Sequence, residues 1–132
     1  MANRSKAKGS AAEKLVAEWY AANGWPHAER RVTEGRNDRG DVSGVPGVVI
    51  EVKDAATLRL YEWIDETERE RVADGAEFGV LVVKRYGSLD VSRWYAIMTV
   101  ESHAEMLKEI FDLRARLDAA RDVIEALRLD RE

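Results

Sequence analysis

The sequence predicts a mixed α/β fold, one small sheet flanked by helices and followed by a long C-terminal helix. Three observations carry that prediction. Apolar residues recur at helical spacing near residues 10–24 and 56–75, apolar runs of strand length lie between and after them, and a heptad pattern runs unbroken from Met106 to Leu127. The 132 residues, 45% hydrophobic and 35% charged with two prolines, suit a globular chain able to bury a core. Residues 1–100 read as one domain and 101–132 as a separate heptad helix.

In order along the chain, "SAAEKLVAEWYAANG" predicts the first helix. Ser10 stands as its N-cap, Glu13 three residues later as the capping-box partner, and Gly24 as its stop. Leu15, Val16, Trp19 and Tyr20 share one face. "WPHAERRVTE" reads as a strand and "GRNDRG" as a charged loop. "DVSGVPGVVIEVK" reads as two strands around a turn marked by Gly44, Pro46 and Gly47. In the second of these, Val48, Ile50 and Val52 point one way and Val49, Glu51 and Lys53 the other, so both faces carry apolar residues and the strand belongs inside the sheet. "ATLRLYEWIDETERERVADG" predicts a helix with Leu60, Trp63, Ile64 and Val72 for burial and Gly75 as its end. "EFGVLVVKRYG" and "SRWYAIMTV" supply two more strands, giving the order α-β-β-β-α-β-β before the last helix.

That last helix places Met106, Ile110, Leu113, Leu117, Ala120, Ile124 and Leu127 at intervals of 4, 3, 4, 3, 4 and 3. Three sustained heptads predict a self-association seam, hence a homodimer, with docking onto the chain's own domain as the alternative. Leu107 and Phe111 beside the seam favour such docking for the first turns. In a parallel pair Glu109 would meet Arg114, whereas Arg116 would oppose Arg121.

Composition narrows the function. The net charge of −4 argues against coating nucleic acid by bulk charge, yet residues 1–40 hold eight Lys/Arg against five Asp/Glu, and residues 101–132 six against nine. The absence of cysteine removes disulfides, thiolate metal sites and cysteine nucleophiles. No apolar run approaches the ~20 residues of a membrane span, and the polar N-terminus lacks a signal-type apolar stretch. A cytoplasmic location and no membrane partner are expected.

The chemistry concentrates on Glu51 and Lys53. Two charges on one side of a core strand are costly unless they meet partners, a metal or a solvated cleft. Same-face residues stand about 7 Å apart along a strand, so both can reach one site. A carboxylate binds a hard cation such as Mg²⁺, and an ammonium stabilises a phosphate on that cation, but a second carboxylate is needed. Asp41 qualifies if the two strands pair so that Asp41 opposes Glu51 and Ser43 opposes Val49, which requires an odd-length connection such as Val45, Pro46 and Gly47. Asp38, in the loop, is a second choice.

Gly40-Asp41, then Glu51-Val52-Lys53, with Glu13 on the first helix, resembles the PD-(D/E)xK nuclease pattern. Within that superfamily "KGSAAEKLVAEWYAANGW", "GDVSG" and "VVIEVK" are similar to the Holliday junction resolvases of the archaeal type and related phage-encoded proteins. The resemblance covers about residues 8–100, and it departs from the pattern in placing Gly40 where proline is usual. It implies a restriction-endonuclease-like fold and a nuclease domain in residues 1–100. It also implies a Mg²⁺-dependent DNA endonuclease, with Mn²⁺ able to substitute, acting on four-way junctions in the cytoplasm, or in the host cytoplasm if phage-encoded. Asp41, Glu51 and the Val52 carbonyl would hold the metal, Glu13 would contribute through a metal-bound water, and Lys53 would orient the attacking water or steady the phosphorane charge. Arg30, Arg31, Arg36, Arg39, Lys84 and Arg85 would contact DNA phosphates, with Thr33 adding a hydrogen bond. The alternatives are a nuclease of the same fold acting on linear or otherwise branched DNA, and a non-catalytic DNA-binding or assembly protein.

Plainer readings stand beside these. Glu51 and Lys53 could be an edge ion pair, Glu13 a capping residue, and each arginine solvated surface. The run Glu62, Asp65, Glu66, Glu68 and Glu70 reads as a solvated helix face rather than a second metal site. His27 and His103 are isolated, and the four tryptophans read as core.

Overall fold

The computed structural model describes residues 4–32 and 40–132. The order is α1 (Arg4–Ala22), β1 (Glu29–Arg30), β2 (Val42–Ser43), β3 (Val48–Lys53), α2 (Leu60–Asp74), β4 (Phe78–Val83), a 3₁₀ turn (Val91–Arg93), β5 (Tyr95–Ile97) and α3 (Val100–Leu129). This is a mixed α/β arrangement of three helices and a five-stranded sheet. The chain divides into two compact units, Met1–Thr99 and Val100–Glu132.

Within the first unit the strands lie in the order β1-β2-β3-β4-β5. Only β3 and β4 run parallel, from Val48 opposite Phe78 to Lys53 opposite Val83, and the other neighbours are antiparallel. Parallel neighbours require a crossover, and α2 provides it. Ala12, Val16 and Ala17 of α1 pack on Val42, Val45, Ile50, Val52, Val82 and Trp94. On the other face Trp63 of α2 packs with Leu81 and Val83, joined by Ile64 and Ile97. Val16, Ile50 and Leu81 are fully enclosed, each contributing about 1.5–3 kcal/mol. The strand that carries Glu51 and Lys53 is thus interior and covered on both faces.

Several local expectations need correction. α1 begins at Arg4, so Ser10 lies inside the helix and is not its N-cap. Upstream, Lys6, Ala7 and Lys8 are good helix formers, and a single Gly9 costs only about 1 kcal/mol, too little to start the helix later. Of the strand expected over residues 25–34, residues 33 and 34 lie outside the described residues, and among residues 25–32 only Glu29–Arg30 is strand. β5 is also shorter than its sequence suggests, because the 3₁₀ turn takes its beginning and α3 starts at Val100. On α2, Val72 is exposed and Leu60 largely so. The buried stripe of that helix is Trp63, Thr67 and Glu70, and at 100° per residue Val72 falls on the side opposite Trp63. Thr67 is satisfied there, donating to the Trp63 carbonyl at 2.7 Å. Gly79 permits the close approach of α2 to β4, since a Cβ would lie 3.1 Å from Thr67 Cγ2. Trp25 is exposed, whereas Trp63 and Trp94 are core.

The second unit is the single helix α3, with no buried residue. Ile110, Leu113, Leu117, Ile124 and Leu127 of the heptad row are exposed, as are Leu107 and Phe111 beside it. None of the described helices is long and apolar enough to cross a membrane.

Candidate active site

The site is built where β2 meets β3. Val42 pairs with Ile50, a register in which paired numbers sum to 92, so Asp41 comes opposite Glu51. This is the parity the sequence required. The turn that sets it is closed by Val48 N–H donating to the Val45 carbonyl at 3.2 Å, with Gly44 and Gly47 both at positive φ. Asp41 is then fastened at three atoms. Its N–H donates to the Ile50 carbonyl at 2.7 Å, its carbonyl accepts from Arg31 N–H at 2.8 Å, and its Oδ2 accepts from Val52 N–H at 2.7 Å.

Gly40 explains its own departure from proline. Its φ is +91°, which the proline ring cannot reach, and a Cβ there would come within 2.9 Å of both the Ile50 carbonyl oxygen and Val49 Cγ1. The backbone turns sharply against β3 to deliver Asp41.

Val52 contributes through its backbone. Lys84 N–H donates to the Lys53 carbonyl at 3.0 Å, on the β4 side. Successive carbonyls of a strand alternate edges, so the Val52 carbonyl points to the Asp41 edge, as its N–H does.

Glu51 is 3% exposed and faces α2. Lys53 Nζ lies 3.5 Å from Glu51 Oε1 and 3.1 Å from Glu66 Oε2. Oxygens of Glu51, Glu66 and Glu70 all lie within 4.8 Å of one another. Oε2 of Glu51 is buried and accepts no hydrogen bond among the described residues, and the carboxyls that face Glu51 are those of Asp41 and Glu70. The acidic run of α2 is therefore not a solvated face throughout, since Glu70 is buried and Glu66 half-buried.

Crowding perturbs Asp41, Glu51 and Lys53. Burial, then the charge of Glu51, pushes the Asp41 carboxyl up to about 9, although the Val52 N–H opposes the shift. Burial and Glu70 push Glu51 up to about 9 as well. For Lys53 burial acts downward, but Glu51, Glu66 and Asp41 together outweigh it and hold its ammonium above the ordinary value. The group behaves as carboxyls short of positive charge beside one firmly charged lysine.

The remaining expected residues fall differently. Glu13 stands on α1 with its Oε2 2.8 Å from Arg30 Nε, and Arg30 Nη2 donates to Ser10 Oγ at 2.9 Å. Glu13 is thus an ion-pair residue, not a capping one, though its charge still raises the Asp41 pKa slightly. Arg30 is engaged by that pair, and Arg31 has a buried Nε without an acceptor among the described residues. Lys84 lies 3.4 Å from Asp54 Oδ2 and 5.9 Å from the Trp94 ring centre, while Arg85 is exposed. Thr33, Arg36, Arg39 and the second-choice Asp38 lie outside the described residues.

Three participants escaped the sequence reading. Asp54, directly after β3, joins Lys84 to Lys8, whose Nζ is 3.2 Å from Asp54 Oδ1. Glu66 and Glu70 are the others. The signal for Glu70 was its place seven residues after Trp63, on the buried stripe.

The donors fit a hard divalent cation. They are all oxygens, one is buried without a hydrogen bond, and the local carboxylates outnumber the one lysine. Comparisons with protein-family models, with curated proteins and with solved structures found no match to this chain.

Proposed function

We propose that this chain is a Mg²⁺-dependent DNA endonuclease of the PD-(D/E)xK, restriction-endonuclease-like type, resolving four-way junctions as a homodimer. The observation that carries the reading is the Val42-to-Ile50 register, which puts Asp41 opposite Glu51 with Lys53 next along the same face. A structural ion pair needs two charges. Here several carboxylates crowd one lysine at a strand end, an arrangement whose electrostatic cost is offset by binding a cation and a phosphate.

Asp41, Glu51 and the Val52 carbonyl would hold Mg²⁺, with Mn²⁺ able to replace it. When bound, such an ion activates water and neutralises charge on a non-bridging phosphate oxygen. The chain's own residues do the rest. The Val52 N–H and the Ile50 carbonyl hold Asp41 in place, so its carboxylate need not reorganise during reaction. Lys53, kept charged by Glu51 and Glu66, orients the attacking water or steadies the charge that builds on the phosphate. Glu13 acts from α1 through Arg30 and through its field at Asp41. The exposed Arg85, with Lys8 and Lys84 gathered on Asp54, offers phosphate contacts beside the site.

The exposed heptad row of α3 supports pairing between copies, and two active sites suit two symmetric cuts. The test incubates purified protein with labelled four-way junction, linear duplex and single strand, in Mg²⁺ or EDTA. Symmetric, metal-dependent nicking of the junction alone is expected. Equal cutting of linear DNA would replace the junction reading with a general nuclease, and binding without cutting would replace it with a DNA-binding protein.

A further inference from the structure

The α2 glutamates suggest a site that Asp41, Glu51 and Val52 alone do not account for. Glu66 and Glu70 are four residues apart, so they emerge on one face of α2. They meet Glu51, which arrives from a different element, β3, and all three present oxygens within 4.8 Å of one another. In an octahedral Mg²⁺ or Mn²⁺ shell with ligands at about 2.1 Å, opposite oxygens are about 4.2 Å apart. Adjacent oxygens are about 3.0 Å apart, and among three ligands at least two pairs are adjacent, so side-chain adjustment must draw the glutamates together by up to about 1.8 Å.

A group of acidic residues alone would say little, since such groups are often only solvated. Here two of the three are shielded from solvent. Glu70 is 4% exposed and Glu51 is 3% exposed. Glu51, a member of the group, also carries a buried Oε2 that accepts no hydrogen bond among the described residues. Burial without a donor disfavours the ionised form of this carboxyl, and a bound cation would relieve that cost. Charge arithmetic points the same way. With a cation bound, three ionised glutamates carry −3 and Lys53 +1, and one divalent ion balances the remaining −2.

We propose that Glu51, Glu66 and Glu70 form a second divalent-cation position, on the α2 side of β3, separate from the position formed by Asp41 and the Val52 carbonyl. Glu51 is the residue common to both. Filling the α2 position relieves Lys53 of serving as sole counter-ion to Glu51 and Glu66, leaving its ammonium available to a phosphate. The inference rests on the proposed function only through this last consequence, because cation binding needs no DNA and no turnover.

The test is Mn²⁺ binding to the full-length protein, measured by calorimetry and by the loss of the free-ion paramagnetic resonance signal. Wild type, Glu70→Gln, Glu66→Gln and Asp41→Asn are compared, each first shown by circular dichroism to be folded. Glu66 is half-buried, so its variant serves even if the Glu70 change disturbs the core. Expected is that, of the two positions open to Mn²⁺ in the wild type, one ion per chain is lost, or weakened at least tenfold, in both α2 variants and kept in Asp41→Asn. Binding unchanged by both α2 substitutions, binding lost in all three variants alike, or no binding at all would overturn the proposal. Loss of the α2 ion with no nuclease activity in any protein would leave this site standing and remove the nuclease reading instead.

Discussion

Replacing Asp41 by Asn should stabilise the metal-free protein above neutral pH, the reverse of what loss of a structural carboxylate would do. Asn retains a carbonyl oxygen to accept the Val52 N–H, now at 2.7 Å, and removes the charge that faces Glu51. In the folded chain Asp41 titrates at about 9 against an ordinary 3.8. A carboxyl raised on folding contributes stability that is complete below its unfolded value and disappears as pH rises through its folded one. Holding the proton at pH 7 therefore costs roughly 3 pH units at about 1.4 kcal/mol each, about 4 kcal/mol. Asp41 keeps some solvent contact and titrates together with Glu51, which reduces the recoverable part to about 2 kcal/mol. For a unit of this size that is a rise in Tm of about 10 °C. Thermal unfolding in EDTA at pH 5 and pH 8 measures it. The wild type should lose stability between the two, Asp41→Asn should lose less, and Mg²⁺ at pH 8 should stabilise the wild type more than the variant, which keeps only the α2 position. Equal destabilisation of Asp41→Asn at both pH values would refute the crowded-carboxylate account.

Three further outcomes follow from particular contacts. Gly40→Ala should lower stability by about 2 kcal/mol in urea unfolding, because its φ of +91° and the 2.9 Å approach to the Ile50 carbonyl oxygen leave no room for a Cβ. Glu66→Gln should lower kcat for junction cleavage by about tenfold and leave junction binding unchanged, since it removes the closest partner of Lys53 at 3.1 Å without touching the phosphate contacts. Sedimentation of a Leu113→Asp, Leu117→Asp double variant should show monomer where the wild type shows dimer, because both leucines lie on the exposed heptad row of α3.

Much of the fold was legible because periodicity reports burial. "VVIEVK" alternates as an interior strand must, and the α1 and α2 clusters occupy the two faces that alternation requires. Parity extended that reading from one strand to its neighbour. If Glu51 and Asp41 share a face, the paired numbers must have an even sum, and the Val42-to-Ile50 register satisfies it. Local end signals were weaker. Ser10 and Glu13 match a capping box, but nothing before Gly9 stops a helix, so both side chains are left for Arg30 instead. The α2 contribution failed for a different reason. Glutamates spaced along a helix ordinarily face water, and only the place of Glu70 on the stripe of Trp63 and Thr67 marks it as buried. The partners that Glu66 and Glu70 find belong to another element, and that proximity is a tertiary fact with no local signature.

The central claim, that Asp41, Glu51 and Lys53 form a metal-dependent phosphodiesterase centre, is tested most directly by single-turnover cleavage of a labelled four-way junction. Wild type in Mg²⁺ should nick the junction symmetrically, and EDTA should stop it. Lys53→Ala should slow the step by about 10²–10³, the loss expected when one charge-stabilising donor is removed. Cleavage that persists in EDTA, or that is unchanged in Lys53→Ala, would contradict the account.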